Sequence, residues 1–274
     1  MYLVQYARNL ERLLETPEEL PIDRRPPKYH LKAMLRRAAR EGREVLTERE
    51  SKKILETYGI LSPEIPVAGT ASKAKKTASS IGFPVVLKIN SPDITHKSVA
   101  GGVALNISSE SQIQEKFDEI LSNAQQYKPS ADIQGVTVQK MISDVDLELI
   151  LGSNRDPVFR ATLMFGRGGR DVEYVKDISI GLPPLNQTLA RMMMEDTTIY
   201  EQLKETKQIA SEDFRTLERY LLGLSQLIID FPEIKELDVN PLAVTENGIL
   251  ALDARVIIDK ELALEKRKLR IIWL

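Results

Sequence analysis

The sequence predicts a mixed α/β (α+β) fold. Apolar runs rich in β-branched residues, such as FPVVLKIN (83–90), alternate with amphipathic patterns of helical period, such as SQIQEKFDEILSNAQQY (111–127). After residue 136, strand patterns follow one another through turn signals, which calls for hairpins and antiparallel pairing rather than one all-parallel sheet. Helix ends are marked by caps and glycines at the expected places.

From the start of the chain, MYLVQYARNLERLLETPEEL (1–20) has helical spacing at Leu3, Tyr6, Leu10, Leu13 and Leu14, and PIDRRPP (21–27) reads as an extended tether. In KYHLKAMLRRAAREGRE (28–44), Lys28, Lys32, Arg36 and Arg40 recur at i,i+4 and form a like-charged helix stripe, read as a solvated face. His30 carries no functional reading. LTERESKKILETYGI (46–60) opens with the capping box of Thr47 and Glu50 and stops at Gly59, so the compact domain is expected to start here.

A short strand is then expected over Ile65–Val67, a helix over 72–81 closed by Gly82, and strands over 85–89 and 102–107 with the amphipathic helix after them. VTVQKMI (136–142), LELILGS (147–153) and VFRATLMFG (158–166) read as three further strands, the last two joined by a turn at NRDP. Beyond Pro183-Pro184 come helical patterns over 187–194 and 213–230. IKELDVNPLAV (234–244) and ILALDARVII (249–258) then read as strands paired around Asn247-Gly248. The expected plan is a helical N-terminal segment (1–45), a main domain (46–260) of two subdomains (60–135 and 136–260), and a tail (261–274).

Composition removes several classes of function. In 274 residues, 38 basic and 40 acidic side chains nearly cancel, which gives no footprint for nucleic acid or an anionic membrane. There is no cysteine, hence no disulfide, thiolate zinc site or cysteine nucleophile, and the two histidines do not make a zinc centre. No apolar run approaches the ~20 residues needed to cross a bilayer, so a cytoplasmic protein is expected. No P-loop motif is present, FGRGGR (165–170) lacks dinucleotide-fingerprint spacing, and no nucleophile elbow accompanies either histidine.

Phosphate and metal chemistry remain. Lys88 lies inside an apolar strand and needs an anion, either a ligand or a core carboxylate. Gly101-Gly102 can bring backbone N–H groups close to phosphate, although tight turns use such pairs too. In ELDVNPL, Glu236, Asp238 and Asn240 alternate along a strand and share one face, and Asp253 is expected opposite them across the hairpin. Carboxylates with an amide oxygen are hard ligands of the kind Mg²⁺ takes while it bridges nucleotide phosphates.

These motifs, in this order, resemble the ATP-grasp part of the NDP-forming acyl-CoA synthetases, of which ADP-forming acetyl-CoA synthetase is the usual member. More distantly, they are similar to the β subunit of succinyl-CoA synthetase. The likeness runs from about Leu46 to Asp259 and rests on LTERESKKILETYGI, FPVVLKINSPDITHKSVAGGVAL, VQKMISDVDLELILGSNRDPVF, LMFGRGGRDVEYVKD and ELDVNPLAV with ALDAR. It implies an ATP-grasp fold, two α/β subdomains enclosing ATP or ADP with Mg²⁺. Lys88 would contact the phosphates, the loop from Thr95 to Gly101 and Gly102 would lie over them, and the strand carrying Lys140 and Met141 would meet the adenine edge. Glu148 would help bind the nucleotide, Asn240 and Asp253 match the Mg²⁺ ligands, and Asp238 is a neighbouring acid.

His96 matches the histidine that carries the phosphoryl group between the CoA-binding part and ADP. Imidazole suits that relay, being a nucleophile near neutral pH whose phosphorylated nitrogen is a good leaving group. Two departures, Arg160-Ala161 where the family commonly has Gly-Pro and Arg167 where it has an apolar residue, add charge near the expected cleft. Nothing here resembles the CoA-binding or ligase domains, so the resemblance implies such a partner in cis or trans, through which CoA and a small carboxylic acid enter. The first ~45 residues resemble the tract after the ligase domain of single-chain synthetases. A regulatory nucleotide-binding domain of a protein acetyltransferase, and a ligase forming its acyl phosphate directly, are the alternative readings.

Overall fold

The computed structural model describes residues 28–94, 96–169, 177–206, 210–246 and 248–265. The helix and tether expected before residue 28, and the tail after 265, lie outside the described residues. In chain order the first elements are α1 (Lys28–Arg40), α2 (Glu48–Thr57), β1 (Val67–Ala68), α3 (Ala71–Ile81), β2 (Val85–Ile89), β3 (Val103–Ile107) and α4 (Glu110–Tyr127). Next come β4 (Val136–Lys140), β5 (Leu147–Asn154), β6 (Thr162–Arg167), β7 (Ile178–Gly181), α5 (Gln187–Glu195) and α6 (Thr198–Glu205). The last are α7 (Ser211–Asp230), β8 (Ile234–Thr245), β9 (Gly248–Ala251), β10 (Arg255–Ile258) and α8 (Lys260–Leu264).

These strands make two antiparallel sheets. The smaller runs β1-β4-β2-β3, and period-two alternation gives it two different faces. Val85, Leu87, Ile89, Val136 and Val138 pack under α3 and α4 against Ala74, Ala78, Ile113 and Phe117. On the other face Val86, Lys88, Thr137 and Gln139 are also buried, so something must cover them.

The larger sheet runs β10-β8-β5-β6-β7, with β9 also on β8. One face, including Leu149, Leu151, Phe165, Leu237 and Val239, packs against Leu217, Leu221 and Leu224 of α7. Leu31 and Leu35 of α1 and Ile54 and Leu55 of α2 belong to that same core. Residues 28–40 are therefore built into the larger sheet's core rather than attached as an extension. The basic stripe of α1 points outward, with Arg36 and Arg40 exposed and Lys28 paired with Asp230. Ala263 of α8 also reaches the core, so the main domain extends past residue 260.

Other differences from the sequence reading have local causes. The border between the sheets falls after β4, not before it, because Val85–Ile89 takes Val136–Lys140 as its ladder partner. Strand β1 begins at Val67 because Pro66 has no N–H to give a ladder. Strand β6 begins at Thr162, since the Asp156 carboxylate accepts the Val158 and Phe159 N–H groups and folds 156–160 into a turn. The ILALDARVII run is broken into β9 and β10, with residues 252–254 between them.

Candidate active site

Residues 44–46 run beside β10, joined by the Val45 to Ile257 bridge and the Leu46 N–H bond to the Val256 carbonyl. That pairing delivers the start of α2 to the gap between the sheets. The capping box expected there is formed: Thr47 Oγ1 accepts the Glu50 N–H at 3.3 Å, and Glu50 Oε2 accepts the Thr47 N–H at 2.8 Å. Glu48, the first residue of α2, is only 4% exposed and covers the polar face of the smaller sheet.

Three ammonium groups converge on Glu48. Oε1 is 3.1 Å from Lys88 Nζ and 3.1 Å from Lys52 Nζ, and Oε2 is 3.2 Å from Lys97 Nζ. Burial alone would push this carboxyl up, but the charges of Lys88, Lys97 and Lys52 outweigh it and hold it below the usual carboxylate range. Lys88 also donates to the Leu252 carbonyl at 3.3 Å, and Lys52 to Gln139 at 3.2 Å. The anion that Lys88 needs is thus a core carboxylate in this structure. For Lys52 burial dominates and lowers the ammonium pKa, whereas the half-buried Lys97, although burial opposes it, is raised on balance by Glu48 and Asp253.

The acidic row lies on β8 and the connection after β9. Asp238 pairs in register with Arg255, whose guanidinium is bonded to Glu236. Asp253 sits between β9 and β10 rather than across a hairpin from Asp238, and its Oδ1 lies 4.0 Å from Lys97 Nζ. Burial pushes the Asp238 carboxyl up to about 6; Arg255 opposes the rise, and Glu236 and Asp253 add to it. Asn240 Oδ1 accepts the Gly169 N–H at 2.8 Å, and a Cβ on Gly169 would lie 2.1 Å from Glu148 Oε2, which places Glu148 beside the same glycine.

A cavity of about 290 Å³ opens between these groups, lined by Glu48, His96, Lys97, Asp238, Asn240, Asp253 and Arg255 among others. His96 is exposed at its edge, with its carbonyl accepting the Ala100 N–H at 3.1 Å. Among the described residues no three His, Asp or Glu side chains form a metal cluster. Two carboxylates and an amide oxygen nevertheless fit Mg²⁺, which usually takes one or two protein carboxylates and completes its shell with phosphate and water. A buried carboxylate whose charge is disfavoured by neighbouring acids is the feature such a cation relieves.

Other sequence expectations meet different surroundings. The N–H groups of Gly101 and Gly102 are spent inside the turn, on the Ser98 carbonyl at 3.1 Å and the Lys97 carbonyl at 2.8 Å, so neither is directed at a ligand. A Cβ on Gly102 would come within 2.5 Å of Ile89 Cγ2, so close packing is what requires glycine there. Lys140 Nζ donates to the Gly82 and Phe83 carbonyls at 3.0 and 2.8 Å, and the Met141 N–H to the Pro84 carbonyl at 3.0 Å. Neither lines the cavity with His96. Thr95 lies outside the described residues.

Arg160 sits in the turn before β6 with φ of 69°, and Arg167 bonds Gln202 at 2.6 Å. The sequence reading missed Glu48, Lys52, Lys97 and Arg255. The one available signal was an acid in the first turn of α2 with Lys52 at i+4.

Two antiparallel sheets with a lysine, a row of acids and a histidine loop at the gap between them make an arrangement of the ATP-grasp type. The ATP-grasp domain matches residues 37–258, and the chain belongs to that family. Within it the chain belongs with the β-subunit type of ADP-forming acyl-CoA synthetases. It is 40% identical over 213 residues to the β subunit of acetate–CoA ligase [ADP-forming] I of Pyrococcus furiosus, covering 78% of this chain and 91% of that one. It is 41% identical over 212 residues to acetate–CoA ligase [ADP-forming] I of Archaeoglobus fulgidus, covering 77% of this chain but only 31% of that longer one.

Its fold matches the acetyl-coenzyme A synthetase 1 of Ca. Korarchaeum cryptofilum, solved with coenzyme A and Mg-AMPPCP and with the phosphohistidine segment pointing towards the nucleotide binding site. The TM-score is 0.70 at 32% identity, covering 84% of this chain and 100% of that one. Among the described residues no helix is long and apolar enough to cross a membrane.

Proposed function

We propose that this chain is the nucleotide-binding, phosphoryl-transferring part of an ADP-forming acyl-CoA synthetase, an acid–thiol ligase that works with a CoA-binding partner in cis or trans. The observation that carries the reading is the meeting of Lys97, His96 and the acids Asp238 and Asp253 around one gap between the sheets, with Lys88 behind it on the shared carboxylate Glu48. An ATP polyphosphate laid there is an anion that Lys88 and Lys97 can share with Glu48.

His96 then acts as nucleophile. Its ring nitrogen forms a bond to the γ-phosphorus while the bond to the bridging oxygen breaks, and ADP leaves with that electron pair. In the opposite direction the phosphohistidine returns the group to ADP. Mg²⁺, held by Asp253 and Asn240 with Asp238 beside them, would neutralise phosphate charge when bound. Lys140, Met141 and Glu148 are assigned to the nucleotide, and Thr95, Gly101 and Gly102 to the loop over it, on the strength of the family resemblance.

CoA and the carboxylic acid enter through the partner, in keeping with relatives that are either separate β subunits or parts of longer chains. A cytoplasmic location goes with this reading and with the absence of cysteine. Calorimetric titration with Mg-ADP tests it. Wild type should bind, Lys88→Met should bind at least about tenfold more weakly for loss of a charge-assisted contact, and adding the CoA-binding partner should give acyl-CoA from acid, CoA and ATP. No Mg-ADP binding by wild type would contradict the reading.

A further inference from the structure

Lys88 and Lys97 come from different parts of the chain, one from β2 and one from the loop that bears His96, and both end on a single carboxylate, Glu48, which lines the cavity together with Lys97. Glu48 belongs to neither part. It is carried by α2, whose Ile54 and Leu55 lie in the core of the larger sheet, and it reaches across to the smaller one. Lys52, one helical turn on, shares Oε1 and continues the link to Gln139 on β4. A buried carboxylate is a costly way to join two sheets, since well-packed apolar side chains commonly serve as well. Glu48 Oε2, besides its ion pair to Lys97, has no hydrogen bond of good geometry, so it is not the product of a fully satisfied structural network.

We propose that Glu48 is a positioning residue for phosphoryl transfer. By holding Lys97 it fixes the His96 loop over the phosphate end of the site, and by holding Lys88 it sets where that end lies. The proposal rests on the reading of His96 as phosphoryl acceptor. The His96 ring has no hydrogen bond of its own among the described residues. The loop is held instead by the turn over 97–101, by Asn123 donating to the Gly101 carbonyl, and by the ion pair of the residue next to His96. A shift of about 1 Å in a reacting group costs as much as ~10²-fold in rate, so the Lys97 tether bears directly on transfer.

The test uses Glu48→Gln, which keeps size and shape and removes the charge, in the complex with the CoA-binding partner. Expected are a fall of ~10²-fold in the single-turnover rate of His96 labelling, Mg-ADP affinity unchanged or tighter because Lys88 is released, and about tenfold faster tryptic cleavage after Lys97 as the loop opens locally. Combining Glu48→Gln with Lys97→Met should cost little more than either alone, because the two act through one contact.

Wild-type labelling and cleavage rates in Glu48→Gln, or a fully additive double variant, would overturn the proposal. Equal losses of affinity and rate would also overturn it, as the mark of a merely structural role. If Glu48→Gln does not fold, Lys97→Met alone serves, with a fall in the His96 labelling rate well beyond its loss of Mg-ADP affinity expected. If wild type itself shows no phosphohistidine, the functional reading fails, and the tryptic arm still decides whether Glu48 tethers the loop.

Discussion

The Gly169 N–H donates a 2.8 Å hydrogen bond to Asn240 Oδ1. That bond ties the acidic strand β8 to the glycine-rich segment after β6, and Gly169 meets Glu148 on its other side. Its φ of 84° is a conformation that glycine adopts freely and other residues rarely do.

Gly169→Ala should therefore disturb two assigned ligands at once. A Cβ would lie 2.1 Å from Glu148 Oε2, so the carboxylate must move. We expect about 1–2 kcal/mol of lost stability from backbone strain and the displaced side chain, and weaker Mg-ADP binding. Thermal melts and calorimetry check both, and Glu148→Ala in the same background should recover part of the stability.

Asp253→Asn separates metal binding from folding. The amide keeps the shape but removes a charge that raises the Asp238 carboxyl pKa. Mg²⁺ needed for half-maximal nucleotide binding should rise by at least about tenfold, while the melting temperature of the metal-free protein holds or rises because like-charge repulsion is relieved. A lowered melting temperature with an unchanged Mg²⁺ requirement would make Asp253 structural.

Asp177 supplies the pH-dependent prediction. Its carboxylate accepts the Thr198 and Ile199 N–H groups, both at 2.7 Å, at the start of α6. Burial would raise its pKa, but hydrogen bonds from Thr198 and Ile199 and the Arg167 charge outweigh it and hold it below the ordinary 3.8. A carboxyl lowered in the folded state contributes stability above its unfolded pKa and loses it as pH falls through the folded one. Asp177→Ala should thus cost about 1–2 kcal/mol at neutral pH, and the gap to wild type should narrow as pH drops below about 4 in urea titrations.

The sequence made some parts of this site plain and hid others. β2 was legible because a five-residue buried run with one lysine has few other readings, and α2 because its capping box is local. The family resemblance was legible because five motifs stand in one order along the chain, and the acids on β8 because strand periodicity puts Glu236, Asp238 and Asn240 on one face. Glu48 was not: its partners Lys88 and Lys97 are 40 or more positions away, and only the pairing of 44–46 with β10 brings them together. Strand β7 and helix α6 were missed because their strongest organiser, the Asp177 carboxylate, acts through backbone N–H groups about 20 residues on. Asp253 was placed on a strand because ILALDARVII has no glycine or proline to mark the break at 252–254.

Everything proposed for this site turns on His96 carrying the phosphoryl group. Mixing the chain and its CoA-binding partner with Mg²⁺ and γ-labelled ATP, then assaying acid-labile, base-stable phosphate on this chain, tests it most directly. Wild type should be labelled and His96→Ala unlabelled, with Mg-ADP affinity retained in the variant. Equal labelling of His96→Ala, or no labelling of wild type with its partner present, would contradict it.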